Sequence, residues 1–227
     1  MNICVIGGGG PKGRFGRDFC DRARLEGHNV YVLSHRHYFP RRPRHMHADF
    51  STPNDVVKQF EQLTADIDHI DIFVYNSTPT TPTTPNYPAE FRSNSIVNPS
   101  EWHNTINIHA IVPHMLSVCA LKKMSSASKI VFLVTGLSMN HDRDFYTELV
   151  GYATGKSAQI FLMLALANHN DRGAVATAIS PHFDREDTKF YEWTVDQAYK
   201  YITKIDTAQN GKIKVLPGPN NHDKNTS

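Results

Sequence analysis

The stretch IGGGGPKGRFG occupies residues 6–16 and decides how the chain is organised. Glycine stands at every third position, at 7, 10, 13 and 16, with Lys12 and Arg14 between them. The short apolar run 2–7 before these glycines predicts a buried strand, and the spacing of 17–27 after them predicts a helix. A glycine-rich turn between a strand and a helix lets the backbone approach a pyrophosphate at the helix N-terminus.

The rest of the chain continues the alternation of strands and helices. Continuous apolar runs, which are typical of strands buried on both faces, predict a parallel sheet covered by helices on each side. We therefore expect a Rossmann-like α/β fold, a doubly wound parallel sheet of about seven strands in three layers. The further strands are predicted at 29–34, 46–50, 69–76, 129–136, 173–180 and 212–218, and the further helices at 54–63, 100–124 with a kink at Pro113, 149–170 and 195–205.

Composition bounds the class of protein. The chain has 227 residues, of which 40% are hydrophobic and 20% charged, so one domain over 1–218 is expected, followed by a disordered tail over 219–227. A net charge of +2 gives no indication of a nucleic-acid or membrane partner. Three widely spaced cysteines and the lack of an apolar run of about 18–20 residues favour a cytoplasmic protein.

A tyrosine and a lysine stand four residues apart near the start of the predicted helix 149–170. Tyr152 and Lys156, in the segment YATGK, then lie one turn apart on one face. This helix follows the predicted strand 129–136, whose carboxyl end is on the ligand side of such a sheet. A lysine ammonium stabilises a phenolate, so the pair is suited to proton transfer during hydride transfer to a carbonyl.

Taken together, these segments resemble the short-chain dehydrogenase/reductase family over nearly the whole chain. The matching segments are the glycine turn, Asp49-Phe50, the run 75–78 (YNST), Asn107, the run IVFLVTGLS, YATGK and the run SPHF after the predicted strand 173–180. The resemblance implies an oxidoreductase that reduces a carbonyl or oxidises an alcohol with a nicotinamide cofactor. The catalytic residues that it implies are Tyr152, Lys156, Ser138, Thr135 and Asn107. The implied cofactor-binding residues are Gly7, Gly10, Lys12, Gly13, Arg14, Phe15, Gly16, Ser34, His35, Arg36, Asp49, Phe50, Asn76, Ser77, Lys156 and Pro181.

Two of these assignments have alternatives. Counting forward from Asn107 places Thr135 in the position of the catalytic serine, whereas counting back from Tyr152 places Ser138 there. Asn107 is preferred for anchoring a water near Lys156, with His109 as its rival. The glycine spacing also departs from the usual family pattern and fits that of the extended and atypical members better.

The sequence after the second predicted strand favours NADP(H) over NAD(H). An acidic residue usually ends this strand in NAD enzymes, where it holds the ribose 2′-hydroxyl. Here the strand ends in Leu33, Ser34, His35 and Arg36, and an arginine can pair a 2′-phosphate bidentately. The basic segment 35–47 (HRHYFPRRPRHMH) also fits a solvated loop, and its spacing is not that of a zinc site.

Further expectations concern the partners of the protein, the run 78–88 and the alternative functions. The resemblance implies a homodimer or homotetramer through helices 100–124 and 149–170, and a small carbonyl or alcohol substrate that the sequence does not specify. The low-complexity run 78–88 (TPTTPTTPNYP) predicts a stiff connection or a lid. The alternative function is a dinucleotide-binding sensor or scaffold without catalysis. A nucleotide-sugar epimerase is disfavoured because little chain follows the predicted strand 173–180.

Overall fold

A computed structural model describes residues 1–8, 15–35, 44–77, 99–134, 150–181 and 188–216. Its strands are β1 (Asn2–Ile6), β2 (Asn29–Ser34), β3 (His45–His47), β4 (Ile72–Tyr75), β5 (Lys129–Leu133), β6 (Val175–Ser180) and β7 (Ile213–Val215). They form one seven-stranded parallel sheet in the order β3-β2-β1-β4-β5-β6-β7. The predicted doubly wound parallel sheet is therefore confirmed.

Helices cover both faces of this sheet. They are α1 (Phe15–Leu25), α2 (Pro53–Leu63), α3 (Pro99–Ile106), α4 (Val112–Leu121), α5 (Val150–His169) and α6 (Thr188–Lys204). A π-helical turn, Asn107–Ile111, joins α3 to α4, and a 3₁₀ turn, Thr207–Gln209, precedes β7. None of the helices in the described ranges combines the length and the hydrophobicity that a membrane crossing requires.

Alternate strand residues build a core on each side of the sheet. In β1, Ile3 and Val5 pack on the side of α1 and α6, whereas Cys4 and Ile6 pack on the side of α2, α4 and α5. The same alternation runs through β4 and β5, because successive side chains of a strand point to opposite faces. This two-sided burial explains why the strands read as unbroken apolar runs in the sequence.

The predicted long helix 100–124 is interrupted before Pro113. The backbone N–H of Val112 bonds to the carbonyl of Asn107, five residues earlier, which is the π-helical spacing. Pro113 has no N–H to donate, so it cannot bond back to a carbonyl of the π-helical turn that runs directly into α4. The structure thus replaces the expected kink at Pro113 with a wider turn immediately upstream.

Two other elements differ from their predicted bounds. The strand expected at 46–50 is β3 and ends at His47. Helix α6 begins at Thr188 rather than at 195, because its first turns are buried against α1, where the Tyr191 hydroxyl donates to Asp18 over 2.7 Å. The predicted tail 219–227 and the whole of the run 78–88 lie outside the described residues.

The strand order reverses at β1, which has β2 on one side and β4 on the other. In open sheets of this kind, ligands bind beyond the carboxyl ends of the strands at such a reversal. Residues that follow β1, β2, β4, β5 and β6 are therefore the ones that can form a site.

Candidate functional site

The first glycine of the turn brings the ends of β1 and β4 together. Gly7 has a φ of +93°, which other residues rarely adopt, and its N–H bonds to the Leu33 carbonyl over 2.8 Å. A Cβ placed on Gly7 would lie 2.7 Å from both N and Cα of Ser77, which are backbone atoms. Only glycine fits here, so the chain can pass close to the end of β4.

Gly16 places the start of α1 against the same turn. A Cβ on Gly16 would lie 2.8 Å from the Gly7 carbonyl oxygen, and the Asn76 amide donates to that oxygen over 3.3 Å. The first turn of an eleven-residue helix is thereby brought to the turn, where its N–H groups and its positive dipole end favour an anion. Phe15, also predicted at this site, is buried and its ring stacks on Phe19. Gly10, Lys12, Gly13 and Arg14 lie outside the described residues.

Asn76 and Ser77 follow β4 directly, as the sequence predicts. Ser77 is buried, and within the described part of the chain its Oγ has no hydrogen-bond partner. A buried hydroxyl without a partner is costly unless something fills that role. The position therefore suits a polar ligand or an ordered water at the strand reversal. Pro181, which follows β6, is half-buried at the same edge of the sheet.

A second group of polar side chains lies at the outer edge of the sheet, on β3 and just after β2 and β3. We call His35, His45, His47 and Asp49 the edge site. The Ser34 hydroxyl and Nε2 of His45 are 2.8 Å apart, and Nε2 of His47 lies 3.0 Å from the His35 carbonyl oxygen. The parallel register, which sets Ser34 beside His47, makes these contacts possible. The segment 35–47 also fitted a solvated loop, and its last three residues form β3.

Asp49 and Phe50 divide into an exposed and a buried partner. The Asp49 carboxylate accepts from the hydroxyl and the N–H of Ser51, at 2.7 Å and 2.9 Å, and these bonds lower its pKa. Phe50 is buried in the core, 5.8 Å from the His35 ring. Arg36 lies outside the described residues. Among those described, no group of three or more His, Cys, Asp or Glu side chains is arranged to hold a metal ion.

Tyr152 and Lys156 belong to α5, one turn apart, as the sequence predicts. The side chain of Tyr152, together with Thr135 and Ser138, lies outside what the structure describes. Lys156 is 1% exposed, and its Nζ donates to the Leu133 carbonyl at 2.7 Å and to Oε1 of Gln159 at 3.1 Å. Burial lowers the pKa of this amine to about 7, so both protonation states are populated near neutral pH.

The π-helical turn brings His109 against the helix of Lys156. The Asn107 amide donates to the Ser51 carbonyl at 3.3 Å, and its pairing with Lys156 stays a prediction. His109 is fully buried, and a Cβ on Gly155 would lie 2.7 Å from its Cβ and 2.8 Å from its Cγ. Burial, and then the charge of Lys156, lower the pKa of His109, so its imidazole is neutral at neutral pH. We call His109, Lys156 and Gln159 the buried cluster.

Tyr75, the last residue of β4, fixes the π-helical turn from below. Its hydroxyl donates to the backbone carbonyl of Ile108, and both residues are buried. A π-helical turn shifts the backbone register, and Tyr75 supplies a donor to one of its carbonyls. The contact positions the residue that precedes His109, and so it holds the imidazole against Gly155.

Comparisons with solved structures agree on the architecture. A double mutant of a short-chain dehydrogenase/reductase from Serratia marcescens superposes with a TM-score of 0.75 at 13% identity, covering 95% of each chain. A blue fluorescent protein from a metagenomic library, in complex with NADPH, gives 0.75 at 18% identity and 96% coverage of both chains. A Brucella ovis short-chain dehydrogenase/reductase with a partially ordered NAD gives 0.72 at 17% identity, covering 96% of this chain and 100% of the other.

The fold is that of the short-chain dehydrogenases/reductases. The resemblance stated from the sequence is thereby confirmed at the level of the fold. No protein-family model matches the sequence. A search of curated proteins likewise finds no match.

Within the short-chain dehydrogenase/reductase fold, sequence reasoning missed three residues of the site. The sequence indicates His109 only as a rival to Asn107 and Tyr75 only as part of the matching run 75–78, and it does not indicate Gln159. A signal for Tyr75 exists, since a tyrosine ending a fully apolar strand needs a partner for its hydroxyl. No signal of comparable strength marks Gln159, because a glutamine in a helix is ordinarily exposed.

Proposed function

We propose that the chain is an NADP(H)-dependent oxidoreductase that reduces a carbonyl, or oxidises an alcohol, by hydride transfer. The observation that carries the proposal is Lys156, buried one helical turn after Tyr152 and bonded to the end of β5. Support comes from the structural neighbours, two of which hold NADPH or NAD. A lysine in such a place is costly to bury, which is typical of a group with a chemical task.

The residues at the strand ends fit a dinucleotide. Gly7, Gly16 and the start of α1 form a backbone surface that a Cβ would fill, and there a pyrophosphate is bound by N–H groups. In this proposal, the edge site and Ser34 contact the adenosine part of the dinucleotide. Arg36 pairs with the 2′-phosphate, and Asp49 and Phe50 lie toward the adenine. Asn76, Ser77 and Pro181 line the rest of the proposed dinucleotide site. The bound nicotinamide supplies or accepts the hydride.

Tyr152 donates the proton in this proposal. As the carbonyl carbon gains a hydride, its oxygen takes the phenolic proton. The alcohol that forms is neutral, and Tyr152 is left as a phenolate. A phenol has a pKa of about 10, and a neighbouring ammonium lowers that value, so Lys156 tunes the donor. A hydroxyl from Ser138 or Thr135 orients the carbonyl, and Asn107, with His109 as its alternative, holds a water near Lys156.

We further propose that the protein assembles through the helices of 100–124 and 149–170. The run 161–167 of α5 predicts a helix buried on several sides. In the isolated chain, Met163 is buried whereas Phe161 is 72% exposed, and Ile111, Val118 and Leu164 are exposed as well. A second copy would cover these apolar groups. A monomeric mass by light scattering at micromolar protein would exclude this assembly.

The decisive experiment compares cofactor binding with turnover in Tyr152→Phe. The variant keeps the ring and removes the proton, so NADPH should still raise the melting temperature while turnover falls by at least about 10²-fold. Of Thr135→Ala and Ser138→Ala, we expect one to abolish turnover and the other to leave it nearly unchanged.

Three results would redirect the proposal. Full activity of Tyr152→Phe on a substrate that the wild type reduces would remove Tyr152 from the mechanism. Binding of NADPH without turnover on any carbonyl or alcohol tested would favour the sensor or scaffold function. A larger thermal shift with NADH than with NADPH would overturn the cofactor assignment.

A further inference from the structure

Gln159 makes a contact that the proposed mechanism does not use. It lies three residues after Lys156 in α5, is fully buried, and accepts a hydrogen bond from Nζ over 3.1 Å through its Oε1. Nζ also donates to the Leu133 carbonyl at 2.7 Å. The amine is thus held between α5 and the end of β5 by two neutral acceptors.

Packing does not explain a glutamine at this position. Its Nε2 is buried and has no hydrogen-bond partner within the described residues. Burying an amide without satisfying it is costly, whereas a leucine or a methionine would fill a similar space without that cost. The Gln159 side chain accepts a hydrogen bond from Lys156, so we look for the role of the amide at that lysine.

Two opposing effects act on the Lys156 amine. Burial favours the neutral form, and it brings the pKa to about 7. Groups that accept a hydrogen bond from an ammonium favour the charged form of the amine. Gln159 and the Leu133 carbonyl supply such bonds, so the removal of either acceptor reduces the charged fraction.

In the described part of the chain, three elements bring residues near the Lys156 amine. From the π-helical turn, His109 faces the helix of Lys156, and its imidazole is neutral at neutral pH. From β5, the contact is the Leu133 carbonyl, which carries no net charge. From α5 itself, Tyr152 precedes Lys156 by one turn, and Gln159 follows it.

We propose that Gln159 is a positioning residue that, through its Oε1, holds the Lys156 amine against the end of β5 and sets its affinity for a proton. The consequence for catalysis rests on the proposed function, because it requires Lys156 to act on Tyr152. The effect on Lys156 itself does not depend on that function. The two parts can therefore be tested separately.

The test follows Lys156 directly. In protein labelled with ¹³C at the lysine ε-carbon, the Lys156 signal is the one that disappears in Lys156→Met. Its titration midpoint is then measured in the wild type, Gln159→Met and Gln159→Glu. We expect the Met variant to lower the midpoint by about 1–2 pH units, since one charge-assisted bond is lost, and the Glu variant to raise it by at least as much.

The controls separate this effect from a general disturbance of the helix. Gln62, an exposed glutamine of α2, provides the matched pair Gln62→Met and Gln62→Glu, which should leave the midpoint unchanged. Coincident midpoints in the three proteins, or shifts of both Gln159 variants in one direction, would overturn the proposal. If Gln159→Met does not fold, the upward shift in Gln159→Glu decides alone.

The same variants separate this inference from the proposed function. Where turnover is measurable, the limb of its pH profile that reports Lys156 should move with the NMR midpoint. Opposite shifts of the midpoint in a protein that shows no turnover support Gln159 and count against the oxidoreductase. Turnover that requires Tyr152, together with an immobile midpoint, supports the oxidoreductase and refutes the role of Gln159.

Discussion

The edge site is made of side chains that reach water, whereas the side chains of the buried cluster are closed off from it. Asp49 is exposed and His35, His45 and His47 are half-buried, while His109, Lys156 and Gln159 are almost wholly inaccessible. The two groups contact the same sheet, yet they differ in what controls their charge. At Asp49 the largest effect on the pKa is a hydrogen bond from Ser51, and at Lys156 and His109 it is burial.

This difference predicts where a substitution has a large effect. A charge in water is screened, and one contact more or less changes stability by less than about 1 kcal/mol. A charge inside the protein is opposed by desolvation, and its neighbours decide whether it exists at all. Changes in the buried cluster should therefore alter folding stability as well as chemistry. Changes at the edge site should alter mainly the affinity for a ligand.

The largest expected effect is on the pH dependence of stability in Lys156→Met. The Lys156 pKa is about 7 in the folded protein, whereas an unfolded lysine has a pKa near 10.4. Between these values the unfolded chain binds more protons, so the contribution of Lys156 makes stability rise with pH, by up to about 1.4 kcal/mol per pH unit. The Met variant lacks this contribution. Urea unfolding at about pH 7, 8 and 9 measures the difference in slope.

A matched control keeps the amine and changes the next residue of α5. Ser157→Ala should retain the wild-type slope, whatever it does to stability at one pH. If the slopes of the wild type and Lys156→Met coincide, the Lys156 amine is not held in the environment described for the buried cluster. The contrast with the edge site would then fail.

The next effect is at the adenosine end, in Arg36→Asp. If Arg36 faces the 2′-phosphate, the variant loses a charge-assisted pair worth about 1.5–3 kcal/mol and gains a repulsion. We expect the dissociation constant for NADPH to rise by at least about tenfold and that for NADH to change little, with the melting temperature of the free protein unaltered. Arg44→Asp, a change of the same charge next to β3, is the control. Equal losses for both cofactors would assign Arg36 a structural role.

The sheet could be predicted from the sequence because burial on both faces leaves a strong pattern. The run around β4 is apolar without a break, and it is bounded by polar residues and prolines. Tyr152 and Lys156 could be placed for a similar reason, since helical spacing fixes that they lie one turn apart. In both cases the information is local.

The place of His109 in the buried cluster could not be predicted because it depends on the π-helical turn. A helix without that turn would place His109 at a different angle to α5, and a single added residue per turn leaves little trace in the sequence. Pro113 indicates a distortion of the predicted helix 100–124, but it does not indicate which backbone carbonyls lose their hydrogen bonds within the helix. The early start of α6 was missed for another reason, since its first turns are stabilised by contacts with α1, as at Tyr191 and Asp18, which are far apart in the sequence.

The smallest of these effects, and the one with the most informative sign, is expected in Gly155→Ala. In an exposed helix this change stabilises a protein by about 1 kcal/mol, because alanine is the better helix former. Here the new Cβ would lie 2.7 Å from the Cβ of His109, which cannot swing away without moving the backbone of the π-helical turn. The Tyr75 hydroxyl holds that backbone at Ile108. Overpacking of this kind typically costs about 1–3 kcal/mol, so we expect a net loss of stability, measured by urea unfolding. Thr154 is exposed and directly precedes Gly155. Thr154→Ala should instead leave stability unchanged or raise it by roughly a few tenths of a kcal/mol. If both variants are stabilised, His109 does not pack on Gly155. The tight packing that distinguishes the buried cluster from the edge site would then be absent.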